Sequence, residues 1–208
     1  MLDGDERAAL AVVRSLVAAH YDVAVLAANR WSLAGVSRGA RAYQRSHHPL
    51  TAPEAYVREV AALTLRLGTN LLIPVTDASA DAILSHQSLL PPRVRIPFAA
   101  LEVYRTASDK VNVHRLAREL GIGIEASVIV EKSGDAAPAD ARLYPGYVKP
   151  HRSVVGRVAR RKLGVSLVTD RERCSRVLSG LHPEAFPVIV QGRVVGPGEG
   201  VFLSLIHI

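Results

Sequence analysis

The chain carries a single cysteine, Cys174, which excludes an intramolecular disulfide and the loop-rich frameworks that depend on one. Cys174 falls on the apolar side of a predicted helix and reads as core packing, not as a nucleophile. Aromatic residues are scarce at 5%. Alanine, valine and leucine must therefore carry the core, as they do where helices pack on parallel strands. No apolar run reaches the roughly 18 residues of a membrane span. The opening Met1-Leu2-Asp3-Gly4-Asp5-Glu6 is acidic where a secretory leader is basic. A soluble, cytoplasmic protein with no membrane partner is expected. No Gly-x-Gly-x-x-Gly follows a predicted strand, which counts against an NAD enzyme. Acidic side chains are also short: 19 against 26 lysines and arginines, a net charge of +7. That excess suits phosphate-bearing partners without choosing among them. The arginines are scattered through both halves without interleaved aromatics, so no specific nucleic-acid partner is expected. His47-His48 has no second ligand pair at metal spacing and reads as exposed loop.

Hydrophobic residues make up 49% of 208 positions, enough for one large domain or two small ones. Helical spacing of Leu10, Val13, Leu16 and Val17 predicts a helix over residues 5–19, with Asp3 and Asp5 at its positive end. The apolar run at 22–28 predicts a strand buried on both faces. Residues 29–48 form a polar connection with a short strand near Tyr43. Thr51-Ala52-Pro53-Glu54 predicts a capping box. The following helix buries Tyr56, Val60, Leu63 and Leu67 and stops at Gly68. Residues 70–75 predict a second buried strand. Asp77 follows at its carboxyl end, where open α/β sheets hold ligands; it reads first as a helix cap and second as a ligand contact. A domain boundary is expected between Pro91 and Thr106. Beyond it come a helix from Thr106 with apolar face Val113, Leu116, Ala117 and Leu120, and strands at 125–131, 146–149, 165–168 and 187–191. Thr169-Asp170-Arg171-Glu172 predicts a second capping box, before a helix that buries Cys174, Val177, Leu178 and Leu181.

Gly146-Tyr147-Val148-Lys149-Pro150 is the stretch with most chemistry. A lysine ending an inner strand is costly to bury unless an anion meets it, and a flexible ammonium suits a phosphate. A snorkelling lysine is the alternative. A basic, glycine-bounded loop follows, in which Arg157 to Lys162 read as solvated charge.

Asp109-Lys110 opening a helix, Lys149 ending a strand, the basic loop, and an apolar strand ending at Gln191 before Gly196-Pro197-Gly198-Glu199-Gly200 stand in one order. In that order the chain resembles the ATP-grasp superfamily, which includes biotin carboxylase and carbamoyl-phosphate synthetase. The resemblance implies an α/β chain: a Rossmann-like pre-ATP-grasp domain with a parallel sheet over 1–98, then the first α+β lobe of an ATP-grasp domain over 99–202. It gives Lys110 and Lys149 to the ATP phosphates, and His151, Arg152, Ser153 and Gly156 to the start of a mobile loop over them. Val188, Ile189, Val190 and Gln191 match the strand that bonds adenine through its backbone. Gln191-Gly192 stands where many members have an acidic residue, which leaves the ribose contact open. The implied activity is ATP-dependent ligation. A small carboxylate is activated as an acylphosphate and captured by an amine or similar nucleophile. ATP and magnesium are the implied cofactors, with the metal ligands expected beyond this chain. The alternative is a Rossmann-like nucleotide or sugar-nucleotide binder without ligase chemistry.

Leu203-Ser204-Leu205-Ile206-His207-Ile208 matches the translation of a sequencing adaptor, so 203–208 are read as an adaptor-derived tail. The chain is then expected to stop before the second lobe, to bind nucleotide without turning it over, and to leave Val188 to Val190 as an open sheet edge.

Overall fold

The computed structural model describes residues 1–156 and 160–197. Two compact units divide the chain: Met1–Val113 with Arg152–Gly164, and His114–His151 with the chain from Val165. The fold is mixed α/β, with parallel pairing in the first unit and antiparallel pairing in the second.

In the first unit, α1 (Arg7–Ala18) leads to β1 (Val23–Ala27), which pairs in parallel with β2 (Ala40–Arg45). Extended segments continue the bonding beyond these two strands. The Met1 amine donates to Ala24 O at 2.8 Å, and Leu26 N donates to Met1 O at 2.9 Å. One residue bonding two positions on its neighbour is the parallel pattern. Leu2 N then donates to Ile73 O, and Leu72 N to Arg95 O. Met1 and Leu2 thus bond to β1 on one side and to the segment at Ile73 on the other.

Alternation along β1 explains its burial on both faces. Val23 and Val25 pack with Ala9 and Val13 of α1. Leu26 packs with Leu2, Leu72 and the helices α2 (Pro53–Leu67) and α3 (Asp77–Ser85), through Tyr56, Val57, Val60 and Ile83. Each such aliphatic side chain taken fully from water stabilises the unit by about 1.5–3 kcal/mol. Leu67, expected in this core, is 42% exposed, because it lies on the last turn of α2. Gly68 ends α2 at φ 66°, a left-handed conformation that a residue without Cβ adopts at little cost.

The caps differ from expectation. Asp3 and Asp5 do not cap α1. Asp3 Oδ2 accepts from Val75 N at 2.9 Å, Thr76 N at 3.1 Å and the Ser79 hydroxyl, and Asp5 Oδ2 accepts from Ala28 N at 3.1 Å. Thr51 forms no capping box; Ala52 precedes α2 with no side-chain cap. Thr76, not Asp77, caps α3, its hydroxyl accepting from Ser79 N at 3.2 Å. Asp77 instead accepts a hydrogen bond from Tyr104 of α4 (Leu101–Ser108) at 3.2 Å. The division between units falls within α5 (Lys110–Glu119), which Asp109 caps by accepting from Val111 N and Asn112 N.

The second unit is a four-stranded antiparallel sheet in the order β3-β8-β4-β7: β3 (Ser127–Val130), β4 (Gly146–Pro150), β7 (Ser166–Val168) and β8 (Val188–Gly192). A short hairpin of the first unit, β5 (Val154–Val155) with β6 (Arg161–Lys162), intervenes in sequence. One sheet face buries Val130, Val148, Val168, Val188 and Val190 against Cys174 and Leu178 of α6 (Arg171–Gly180). Asp170, not Thr169, caps α6, accepting from Arg173 N at 2.7 Å. β8 is interior, so Val188 to Val190 are not an open edge. A Cβ at Gly146 would strike the carbonyl oxygens of Leu143 and Gln191, so that close approach of backbones requires glycine. No helix among the described residues is long and apolar enough to cross a membrane.

Candidate functional site

Period-two alternation in β4 sends Val148 into the core and places Tyr147 and Lys149 on the opposite face. In β8 the same alternation pairs Ile189 and Gln191 with that face. Register sets Gln191 opposite Tyr147 on one side and Ser127 on the other. Lys149 is half-buried, its Nζ donating to Gln191 Oε1 at 2.6 Å and lying 6.0 Å from the centroid of the Tyr147 ring. No carboxylate among the described residues pairs with this ammonium. The face thus presents a positive charge held by a neutral acceptor and an aromatic ring.

Val188, Ile189 and Val190 are buried. Because β8 lies between β3 and β4, its N–H and C=O groups are directed at strands on both sides. The backbone contact to adenine that the resemblance gives to 188–191 meets a ladder already occupied there. Within β8, Gln191 alone carries a polar side chain on that face.

The basic loop is built differently from the expected solvated run. His151 belongs to the second unit, where its N donates to Pro187 O at 3.1 Å and its Nδ1 lies 3.1 Å from Ala185 O. Arg152 belongs to the first unit, with Nε 3.5 Å from Asp109 Oδ2 and Nη2 donating to Arg105 O at 3.4 Å. Lys110 Nζ donates to Ser153 Oγ at 3.3 Å, also within the first unit. Gly156 has φ 95°. Arg160 is the correction to the solvated reading: its guanidinium is buried against Asp81 at 2.7 Å. Arg161 and Lys162 are exposed in β6, as expected. Arg157 and Gly198, Glu199, Gly200 and 203–208 lie outside the described residues.

Sequence reasoning missed His114 and Ser127. His114 of α5 is buried, its Nε2 2.7 Å from Ser127 Oγ and its Nδ1 without a partner among the described residues. Burial, then the nearby Arg118 and Arg115, lowers its pKa. Tyr147 was findable, since period two from Lys149 puts it on the same face. The expected apolar face of α5 is not core: Val113, Leu116 and Leu120 are all exposed. Cys174 is buried and its thiol pKa is raised by burial, in keeping with packing.

No family model matches the sequence, and no curated protein matches it. The fold is similar to N5-carboxyaminoimidazole ribonucleotide synthetase from Thermus thermophilus. The two share a TM-score of 0.55 and 16% identity, over 93% of this chain and 46% of that one. The biotin carboxylase subunit of pyruvate carboxylase overlays with a TM-score of 0.44 and 14% identity, over 92% of this chain and 44% of that one. This chain spans less than half the length of either. The likeness to the synthetase is one of fold alone.

Proposed function

We propose that the chain is a nucleotide-binding part of an ATP-dependent carboxylate–amine ligase. The observation that carries this reading is Lys149: a half-buried ammonium on the sheet face away from the α6 core, held by Gln191 and paired with no carboxylate among the described residues. A charge kept in that state is stabilised when an anion meets it. The fold shared with a ribonucleotide synthetase supports a nucleotide phosphate as that anion. Within the first unit, Lys110, Arg152, Ser153 and Gly156 are proposed, on the sequence resemblance, as a separate set of phosphate contacts. Positive side chains and N–H donors would neutralise phosphate charge while a carboxylate oxygen attacks the terminal phosphorus of ATP, the bond from that phosphorus to the bridging oxygen breaks, ADP leaves and an acylphosphate forms. An amine would then displace that phosphate.

The first unit is read as Rossmann-like, supported by its parallel bonding and by helices on both faces of β1. The domain limits proposed with this reading are 1–98 and 99–202. No group of three or more His, Cys, Asp or Glu side chains among the described residues is placed to hold a metal ion. No step of the proposed reaction is routed through magnesium.

Comparing ATP, inorganic triphosphate and adenosine as ligands tests the reading. Binding should follow the phosphates and weaken with salt. Adenosine binding as tightly as ATP would contradict it.

A further inference from the structure

The resemblance gives Gln191 a backbone role, but its side chain performs a separate task. Gln191 Oε1 accepts from Lys149 Nζ at 2.6 Å. An ammonium only donates, so the amide orientation is determined: the carbonyl faces Lys149 and the NH2 group turns away. A glutamate in this place would cancel the lysine charge across the same short distance. The neutral amide instead fixes the long lysine chain, leaves its full charge, and adds N–H donors beside it. Ser127 and Tyr147 flank Gln191 in register, and neither carries a carboxylate.

We propose that Gln191 is a positioning residue that aims Lys149 without neutralising it. This part of the face then takes acceptor atoms of an anionic group, a nucleotide phosphate oxygen, rather than gripping a ribose hydroxyl through a carboxylate. The inference rests on the reading of Lys149 as a phosphate ligand.

The test titrates ATP into the 208-residue chain and into its Gln191→Glu, Gln191→Leu and Lys149→Ala variants, at low and at moderate salt. Gln191→Glu preserves size and the contact to Nζ. It should weaken ATP binding roughly tenfold, the scale of a charged hydrogen bond, and flatten its salt dependence, because the lysine charge is cancelled. Gln191→Leu should weaken ATP binding while leaving its salt dependence in place. If Lys149→Ala weakens binding while Gln191→Glu binds as the unchanged chain does, the positioning role is overturned and the phosphate reading stands. If Lys149→Ala itself binds ATP unchanged, both fall.

Discussion

Arg160 buries its guanidinium against the Asp81 carboxylate, 2.7 Å away, with 9% of its side chain exposed. Arg105 Nε reaches the other oxygen of the same carboxylate at 3.3 Å. Asp81 thus ties the β5–β6 hairpin and α4 to α3, all within the first unit. Breaking such a pair from one side leaves charge buried without a partner, which costs more than the pair contributes. Asp81→Ala should lower stability by about 2–3 kcal/mol in denaturant unfolding. Asp140→Ala, which removes the partner of the 80% exposed Arg142, should leave the midpoint where it is.

Asp3 should matter as much, for a different reason. One of its oxygens gathers the N–H groups of Val75 and Thr76 and the Ser79 hydroxyl at the entry to α3. Asp3→Ala strands these donors and should cost about 2–3 kcal/mol; Asp3→Asn, which keeps an acceptor oxygen, should cost less. Denaturant midpoints of the two variants would show the order.

These contacts also show what a sequence conveys and what it does not. β1 was legible because both its faces are apolar, and β4 and β8 because short apolar runs end at Lys149 and Gln191. Gly68 stopped α2 as its backbone freedom dictates. Asp3 could not be read, because its partners lie more than 70 residues away. It looked like a local helix cap, and only packing reveals the distant amides. Helix α4 was missed because it is only eight residues long and lies mostly inside the stretch read as a domain boundary. α5 misled in the opposite sense: its apolar stripe is regular, yet Leu116 and Leu120 are exposed. At the site, Lys149 and Gln191 were each named, but their contact depends on antiparallel register, which the hydrophobic pattern leaves open. Arg160 looked like one charge in a solvated run, because nothing local announces Asp81.

His114 predicts a pH effect. Burial, reinforced by Arg118 and Arg115, holds its folded pKa below the ordinary 6.5. Between that lowered value and 6.5 the unfolded chain binds the extra proton and the folded chain does not. Stability should therefore rise with pH through that window and be lower below it. His114→Gln should flatten this part of the profile, measured as unfolding midpoint against pH. A profile unchanged by the substitution would remove His114 as its source.

The most direct measurement is calorimetric titration of ATP into the unchanged chain and into Lys149→Ala, at low and at moderate salt. The account predicts weak, salt-sensitive binding that drops by about 1–3 kcal/mol when the Lys149 ammonium is removed, the worth of a charge-assisted contact. Equal ATP affinity in the two proteins, at both salt concentrations, would contradict it.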